Sequence, residues 1–311
     1  MRRVLLLFVD GLGWGPDDPA VNPLVAGRTP TLDGLLGRRL AGPVARIRGN
    51  GALLLPADAT LGVEGLPQSA TGQTALLTGV NAAQLAGRHV AAYPTAHLRE
   101  VLKAHNLFAR VLRMGGRAAL ANAYTPEYFA AVEAGRLRHA SITYAALSAG
   151  VRLRGLDDLR AGAAVFHDLT NDRPRAWGYD VPSITPRQAG RHLAGIARGH
   201  HLTLFEFFLT DLAAHGRIPL EPAAVVEMLD ALLAGVLEGG DPGEMLVLMA
   251  SDHGNLEDVL SVGHTRNPVP VLLIGAGREE VGASLRTITD VAPAVTAWLA
   301  GALPGGEVRH G

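Results

Sequence analysis

Four short, largely apolar runs lie along the chain, and each is followed by a polar residue or a glycine. Runs of this length predict strands buried on both faces, as in a parallel sheet covered by helices. The predicted strands are residues 4–9, 202–209, 245–250 and 269–274. Helical patterns lie between or beside them, at residues 70–77, 98–113, 222–237 and 291–299. This alternation predicts an α/β fold with a doubly wound, mostly parallel sheet and helices on both faces.

The middle of the chain has a less regular pattern. Residues 86–195 contain helical stretches, candidate strands at 118–122 and 163–167, and many Gly, Arg and Pro breaks. We predict that this segment is a smaller inserted cap or substrate domain. The metal-binding catalytic core would then be discontinuous, formed by residues 1–85 and 196–311. Within the cap, residues 166–172 are interpreted as a strand and turn and not as a site.

Composition and charge exclude several kinds of site and partner. The 311 residues include no cysteine, which excludes disulfides, thiolate nucleophiles and Cys-bound zinc. The formal net charge of −1 provides no general attraction to nucleic acid or to an anionic membrane. No apolar stretch approaches the ~20 residues of a transmembrane helix, and the run at 4–9 leads into Asp10 and not into a signal-cleavage site. We expect a cytoplasmic protein that binds neither nucleic acid nor membranes; the oligomeric state is left open.

Acidic residues follow three of the predicted strands. Asp10, Asp211 and Asp252 each come just after a strand. The carboxyl ends of parallel strands meet at one edge of a sheet, where ligands bind. Any one of these residues alone would be interpreted as a helix cap or turn residue. Three in the same setting predict a shared site.

Three histidines accompany these carboxylates: His215 lies four residues after Asp211, His253 follows Asp252, and His264 stands before the last predicted strand. Mixed oxygen and nitrogen ligands suit Zn²⁺, Mn²⁺ or Fe²⁺ better than Ca²⁺ or Mg²⁺. Six ligands are more than one catalytic ion with an open position requires. The sequence therefore predicts two divalent metal ions.

Ser69, at the start of the predicted helix 70–77, is the candidate nucleophile. A hydroxyl there lies near the positive end of the helix dipole and near backbone N–H groups that can bind phosphate. A nearby metal ion can lower its pKa. An isolated serine in this position would be interpreted as an ordinary N-cap. Thr71 and Thr74 are rival hydroxyls.

Several motifs carry a more specific resemblance. Gly-Leu-Pro precedes Gln68-Ser69, and glycines follow Ser69 at +3 and +10. The other motifs are Phe-Val-Asp-Gly at 8–11, Thr-Pro-Thr-Leu-Asp at 29–33, Ala-Ser-Asp-His-Gly-Asn at 250–255 and His-Thr-Arg-Asn-Pro-Val-Pro at 264–270. Over roughly residues 1–80 and 200–300 they resemble the alkaline phosphatase superfamily, in particular its cofactor-independent phosphoglycerate mutase and phosphopentomutase branch. The two glycines favour Ser69 as the family nucleophile; a different alignment of residues 72–74 would favour Thr74.

The resemblance implies a two-metal phosphoryl-transfer enzyme. One ion, Mn²⁺ or Zn²⁺, would be held by Asp211, His215 and His264, and the other would be surrounded by Asp10, Ser69, Asp252 and His253. Ser69 would take the phosphoryl group of a small phosphorylated metabolite as phosphoserine. Water would complete a hydrolase cycle, or a substrate hydroxyl a mutase cycle. The middle segment is shorter than the inserted domain of the mutases and does not match it.

Two alternatives belong to other functional classes. A sulfatase-like hydrolase would normally carry Arg four residues after its nucleophile, where this chain has Gln73. A catalytically inactive relative that only binds a phosphate ligand would be expected to have lost a metal ligand. All seven predicted metal-site positions carry competent residues, which favours an enzyme.

Overall fold

A computed structural model describes residues 2–301, and within this range the strands form one mixed sheet. Its strands are β1 (Arg3–Val9), β2 (Ile47–Arg48), β3 (Ala52–Ala57), β4 (Ala118–Leu120), β5 (Leu202–Phe207), β6 (Met245–Ala250) and β7 (Val269–Gly275). Their spatial order is β2-β3-β7-β6-β1-β5-β4. The neighbours β4, β5, β1 and β6 pair in parallel, whereas β7, β3 and β2 join through antiparallel pairings. Five strands therefore run in one direction and two in the other, which confirms the predicted α/β class.

Helices cover both faces of this sheet. In the described range they are α1 (Pro23–Ala26), α2 (Pro30–Leu36), α3 (Ser69–Thr78), α4 (Ala82–Ala86), α5 (Ala96–His105), α6 (Leu107–Arg113), α7 (Pro126–Glu133), α8 (Ser141–Ser148), α9 (Leu156–Arg160), α10 (Asp172–Ala176), α11 (Pro186–Arg198), α12 (Leu209–Ala214), α13 (Pro222–Gly239), α14 (Arg278–Gly282) and α15 (Val291–Ala300), with a 3₁₀ turn at Ile288–Asp290. The helix predicted at 98–113 is two helices. Asn106 ends α5 and caps α6, because its Oδ1 accepts from the Ala109 N–H at 2.9 Å.

Alternate residues of β1 contribute to two separate hydrophobic cores. Leu5 and Leu7 point to the side covered by α11 and α13, whereas Leu6 and Phe8 point to the side covered by α3, α5 and α15. Every β1 residue from Val4 onward is buried. The strand is thus covered on both faces, which accounts for its unbroken apolar sequence.

The segment predicted as a cap also contributes to the sheet. β4 lies within residues 86–195 and pairs with β5, and α11 packs against α13. The apolar segment at 163–167 forms only an isolated bridge, between Asn122 and Val165. The division into a core and an inserted cap stays a prediction.

Residues 302–311 of the predicted core lie outside the described residues. Within residues 2–301, no helix is long and apolar enough to cross a membrane.

Candidate metal centre and nucleophile

The site lies where three adjacent parallel strands end. β6, β1 and β5 are neighbours in the sheet, and their carboxyl ends lead directly into the turns that carry the predicted ligands. Asp10 follows β1, Asp252 and His253 follow β6, and Asp211 lies in the first turn of α12 after β5. The strand order therefore brings together carboxylates that are far apart in the sequence.

Asp211, His215 and His264 form the first group of ligand atoms. The Nε2 atoms of His215 and His264 lie 3.4 and 3.6 Å from Asp211 Oδ1 and 3.3 Å from each other. Ligands placed tetrahedrally at the usual zinc bond lengths are separated by about 3.4 Å. His264 Nδ1 donates to the Pro67 carbonyl at 2.7 Å, so its Nε2 retains a lone pair for a metal ion.

The second group is centred on His253, whose side chain is fully buried. Its Nε2 lies 3.3 Å from Asp10 Oδ1, 3.6 Å from Asp252 Oδ2 and 3.1 Å from Ser69 Oγ. The rings of His253 and His264 stack with centroids 3.7 Å apart, so the two groups adjoin. Ligand atoms of Asp211, His253 and His264 also converge, as do those of Asp10, Asp252 and His253.

The charges of this cluster fit divalent cations. Asp10 Oδ1 and Asp252 Oδ2 are buried without a hydrogen-bond partner, and such orphaned oxygens are costly unless a cation compensates them. Burial, together with Asp10, raises the pKa of Asp252 well above its usual value. Burial would lower the pKa of His253, but the Asp252 and Asp10 carboxylates outweigh it and raise this pKa to about 10. The residues present therefore match the donor set and the charge that two metal ions require.

The three candidate hydroxyls on α3 have different surroundings. Ser69 is the first residue of the helix and its Oγ faces His253. Thr74 is fully buried, and its hydroxyl donates to the Ala70 carbonyl at 2.6 Å. Thr71 is equally buried, and its hydroxyl donates to the Gln68 carbonyl at 3.1 Å. Of the three, Ser69 alone presents its oxygen to the ligand cluster.

The backbone at the start of α3 differs from the expectation that free N–H groups would bind phosphate. The N–H groups of Ala70 and Thr71 donate to the Val90 carbonyl at 3.1 and 3.3 Å. They are therefore already satisfied. Positive charge for a phosphate has to come from metal ions and from cationic side chains near the cluster.

Glu257, which was not predicted as a site residue, is a fully buried carboxylate beside the turns that carry the candidate ligands. It accepts from the backbone N–H groups of Gly13 and Asn255, each at 2.8 Å, and from the Asn267 side chain at 3.1 Å. It also accepts from the Thr265 hydroxyl. Glu257 thereby holds together three loops that carry ligands. Its position two residues beyond the Asp-His-Gly-Asn motif was the available signal.

Asn255 was recognised only as part of a motif, and the structure shows its contact. Its Nδ2 donates to Asp211 Oδ1 at 2.7 Å, which links the turn after β6 to the turn after β5. In metal sites, hydrogen-bond donors that contact a ligand in this way fix the orientation of that ligand.

A cavity of about 910 Å³ opens beside the cluster, with Asp10, Ser69 and Asp211 on its lining. Its other walls come largely from residues 122–143 and 166–177, within the segment predicted as a cap. Two exposed arginines, Arg138 and Arg217, also line it. Neither arginine was predictable from the sequence, because residues 138 and 217 belong to different segments and form no cluster there.

The fold is similar to that of alkaline phosphatases, and the ligand cluster at its strand ends is a candidate metal centre. The resemblance inferred from the motifs is confirmed by similarity at several levels. Residues 191–299, about a third of the chain, match the family model described as Metalloenzyme superfamily. The PH0037 protein of Pyrococcus horikoshii superposes with a TM-score of 0.59 at 16% identity, over 96% of each chain. An alkaline phosphatase from the Antarctic bacterium TAB5 gives 0.53 at 14% identity, over 94% of this chain and 96% of that one.

Similarity to curated relatives extends over shorter stretches of this chain. The chain is 28% identical over 131 residues to a 2,3-bisphosphoglycerate-independent phosphoglycerate mutase of Cereibacter sphaeroides, which is 39% of this chain and 25% of the relative. It is 38% identical over 86 residues to a phosphopentomutase of a Methylobacterium species, which is 27% of this chain and 21% of the relative. The matches thus span about a quarter of the length of these relatives.

Proposed function

We propose that this protein transfers phosphoryl groups at a two-metal centre, with Ser69 as the acceptor, and that it hydrolyses phosphomonoesters. The observation that carries the proposal is the position of the Ser69 hydroxyl, 3.1 Å from His253 Nε2, at the edge of the ligand cluster and on the wall of the cavity. A serine hydroxyl becomes a competent nucleophile when an adjacent base or a metal ion lowers its pKa.

Two metal ions fit the ligand groups described above. Asp211, His215 and His264 would hold one ion; Asp10, Asp252 and His253, with Ser69, would hold the other. When bound, Mn²⁺ or Zn²⁺ ions lower the pKa of a ligating hydroxyl and neutralise charge on phosphoryl oxygens. Asn255 and Glu257 keep the ligand turns in place during the reaction.

The reaction has two displacements at phosphorus. Ser69 Oγ releases its proton to solvent and bonds to phosphorus, while the ester bond to the alcohol oxygen breaks and that oxygen takes a proton from solvent. A water molecule then attacks the phosphoserine, releases inorganic phosphate and restores the serine hydroxyl. Arg138 and Arg217 are the cationic side chains positioned to attract the phosphate into the cavity.

The size of the cavity favours water over a substrate hydroxyl as the final acceptor. A mutase must exclude water while its phosphoenzyme persists. A three-carbon phosphate would fill only a small part of about 910 Å³, so water would reach the phosphoserine. The mutase activity named for the curated relatives is therefore not what we propose for this chain.

The proposal is tested by loading the purified protein with Mn²⁺ or Zn²⁺ and supplying 3-phosphoglycerate and simple phosphomonoesters. We expect at least slow release of inorganic phosphate and no efficient formation of 2-phosphoglycerate. Rapid interconversion of 2- and 3-phosphoglycerate with negligible phosphate release would overturn the hydrolase assignment. Absence of phosphoryl transfer to any acceptor would overturn the enzyme assignment.

A further inference from the structure

Aromatic side chains are concentrated around the cavity beside Ser69. The whole chain has only three Trp, five Tyr and seven Phe. Six of these line this one cavity: Tyr93, Tyr124, Tyr128, Phe166, Trp177 and Phe208. They come from distant parts of the sequence, and folding brings them together around the cavity.

One wall of the cavity is a continuous series of rings. The centroid of Phe208 lies 4.8 Å from that of His167, which lies 4.1 Å from that of Phe166. Trp177 then meets Phe166 edge to face at 6.1 Å. The Arg173 guanidinium donates to His167 Nε2 at 3.1 Å, and burial, together with Arg173, lowers the pKa of His167 to about 3. The imidazole is therefore neutral and presents a ring face like its neighbours.

A second group of rings comes from the segment that includes α7. Tyr124 and Tyr128 pack with centroids 4.7 Å apart. The Tyr93 ring carries the Arg138 guanidinium 4.8 Å above its centroid. A planar ligand entering this cavity meets aromatic faces from two parts of the chain, with a cation at one of them.

The volume of the cavity agrees with a ligand much larger than a phosphorylated triose. Pockets for drug-sized molecules measure roughly 300–1,000 Å³, and this cavity is about 910 Å³. A small, strongly hydrated phosphate ester would leave the aromatic faces in contact with water. A ligand with a planar apolar part would cover them.

We infer that the substrate is a phosphomonoester whose alcohol carries a planar aromatic or heteroaromatic ring, with its phosphate at Ser69 and its ring among these aromatic side chains. The inference rests on the proposed function and specifies its substrate class. Stacking of one base on aromatic side chains corresponds to about a 5- to 150-fold gain in affinity. The ring should therefore lower KM by a factor in this range.

Two matched substrate pairs isolate the ring from the chemistry. Adenosine 5′-monophosphate and ribose 5-phosphate share the same phosphoester and differ by the base. 2-Phenylethyl phosphate and glycerol 1-phosphate compare a simple arene with a polar alcohol. A lower KM for the ring-bearing member of either pair supports the inference, and the pair that responds more strongly distinguishes a nucleobase from a simple arene. Equal KM values within both pairs, with phosphate released, would overturn the inference and leave the proposed function intact.

Trp177→Ala tests the wall directly. Trp177 is 53% exposed, so its removal should leave the fold intact. The variant should raise KM for adenosine 5′-monophosphate and 2-phenylethyl phosphate by more than it raises KM for their ringless partners. Leu85→Ala is the matched control, since Leu85 is an exposed apolar residue on α4 that does not line the cavity.

A binding measurement separates failure of the inference from failure of the proposed function. Adenosine, 2-phenylethanol and ribose are titrated into the protein, and binding is followed by calorimetry without any turnover. Adenosine or 2-phenylethanol binding that Trp177→Ala weakens, in a protein that hydrolyses nothing, would support the ring site and refute the phosphatase. If neither compound binds and no ring-bearing substrate is preferred, the ring site is refuted.

Discussion

The α-carbon of Gly72 faces the backbone of Asp252 so closely that a β-carbon at residue 72 would lie 2.7 Å from the Asp252 carbonyl oxygen. The first turn of α3 therefore rests on the turn that carries Asp252 and His253, and this contact sets the position of Ser69. Gly72→Ala should force the helix and the turn apart. We expect the free energy of unfolding to fall by about 1–3 kcal/mol, measured by urea denaturation, together with a lower kcat.

Gly34→Ala is the control for this prediction. Gly34 lies in α2, and a β-carbon there would meet no atom within 4 Å. Alanine favours a helix over glycine by about 1 kcal/mol, so stability should rise or stay unchanged. A Gly72→Ala protein that is as stable and active as the unmodified chain would contradict the packing argument.

Ser69→Ala should remove the covalent intermediate while leaving the fold and much of the metal binding intact. The loss of kcat should be at least about 1,000-fold, because the remaining residues can still bind substrate but offer no nucleophile. Phosphopeptide mapping after brief reaction should find phosphate on Ser69 in the unmodified protein. Thr74→Val, which removes a hydroxyl bonded inside α3, should retain activity; a phosphopeptide at Thr74 would transfer the role to that residue.

The metal content should be two divalent ions per chain, measured by elemental analysis of the purified protein. Chelation should lower the melting temperature, because it leaves Asp10 and Asp252 oxygens buried without partners. Asp252→Asn should reduce the stoichiometry to about one ion. A fully active preparation with a single ion, and no second ion taken up on titration, would refute the two-metal proposal.

Glu257→Gln should destabilise the protein although it changes few atoms. The carboxylate accepts four hydrogen bonds, and an amide NH₂ group would face some of these donors instead. The free energy of unfolding should fall by about 1–3 kcal/mol, and metal affinity should fall with it, as measured by denaturation and calorimetric titration. Glu133→Gln, on the exposed end of α7, is the control and should change neither quantity.

The parts of the fold that the sequence predicts well are those with a local cause. The strand at Met245–Ala250 is predicted with its observed bounds, because its apolar run is unbroken and a strand buried on both faces is nearly all apolar. β3 was not predicted. Its apolar run, residues 52–55, is only four residues long and is followed by Pro56, a residue that argues against a central strand. Its pairing with β7, more than 200 positions away, is seen only in the folded chain.

The candidate site also has residues that the sequence predicts and residues that it does not. The candidate ligands were predictable in part because three Asp residues come just after strands and two of the His residues lie within four positions of them. The order β6-β1-β5 then places these residues together. The role of Glu257 was not predictable, since it depends on contacts with Gly13 and Thr265 that only the folded chain makes. The aromatic lining of the cavity was not predictable from the sequence either. Residues 93, 166 and 208 share no pattern until three loops meet above the sheet.

The central place of β1 between β5 and β6 has a consequence for how the protein is made. During synthesis, β1 leaves the ribosome some 200 residues before either of its neighbours. Until they arrive, the backbone of β1 has no native strand partner, and pairing across such a distance is slow. An unpaired, apolar strand of this kind favours aggregation of a partly folded chain. A nascent chain stopped before residue 245 would have an incomplete sheet and would lack the candidate ligands that follow β6.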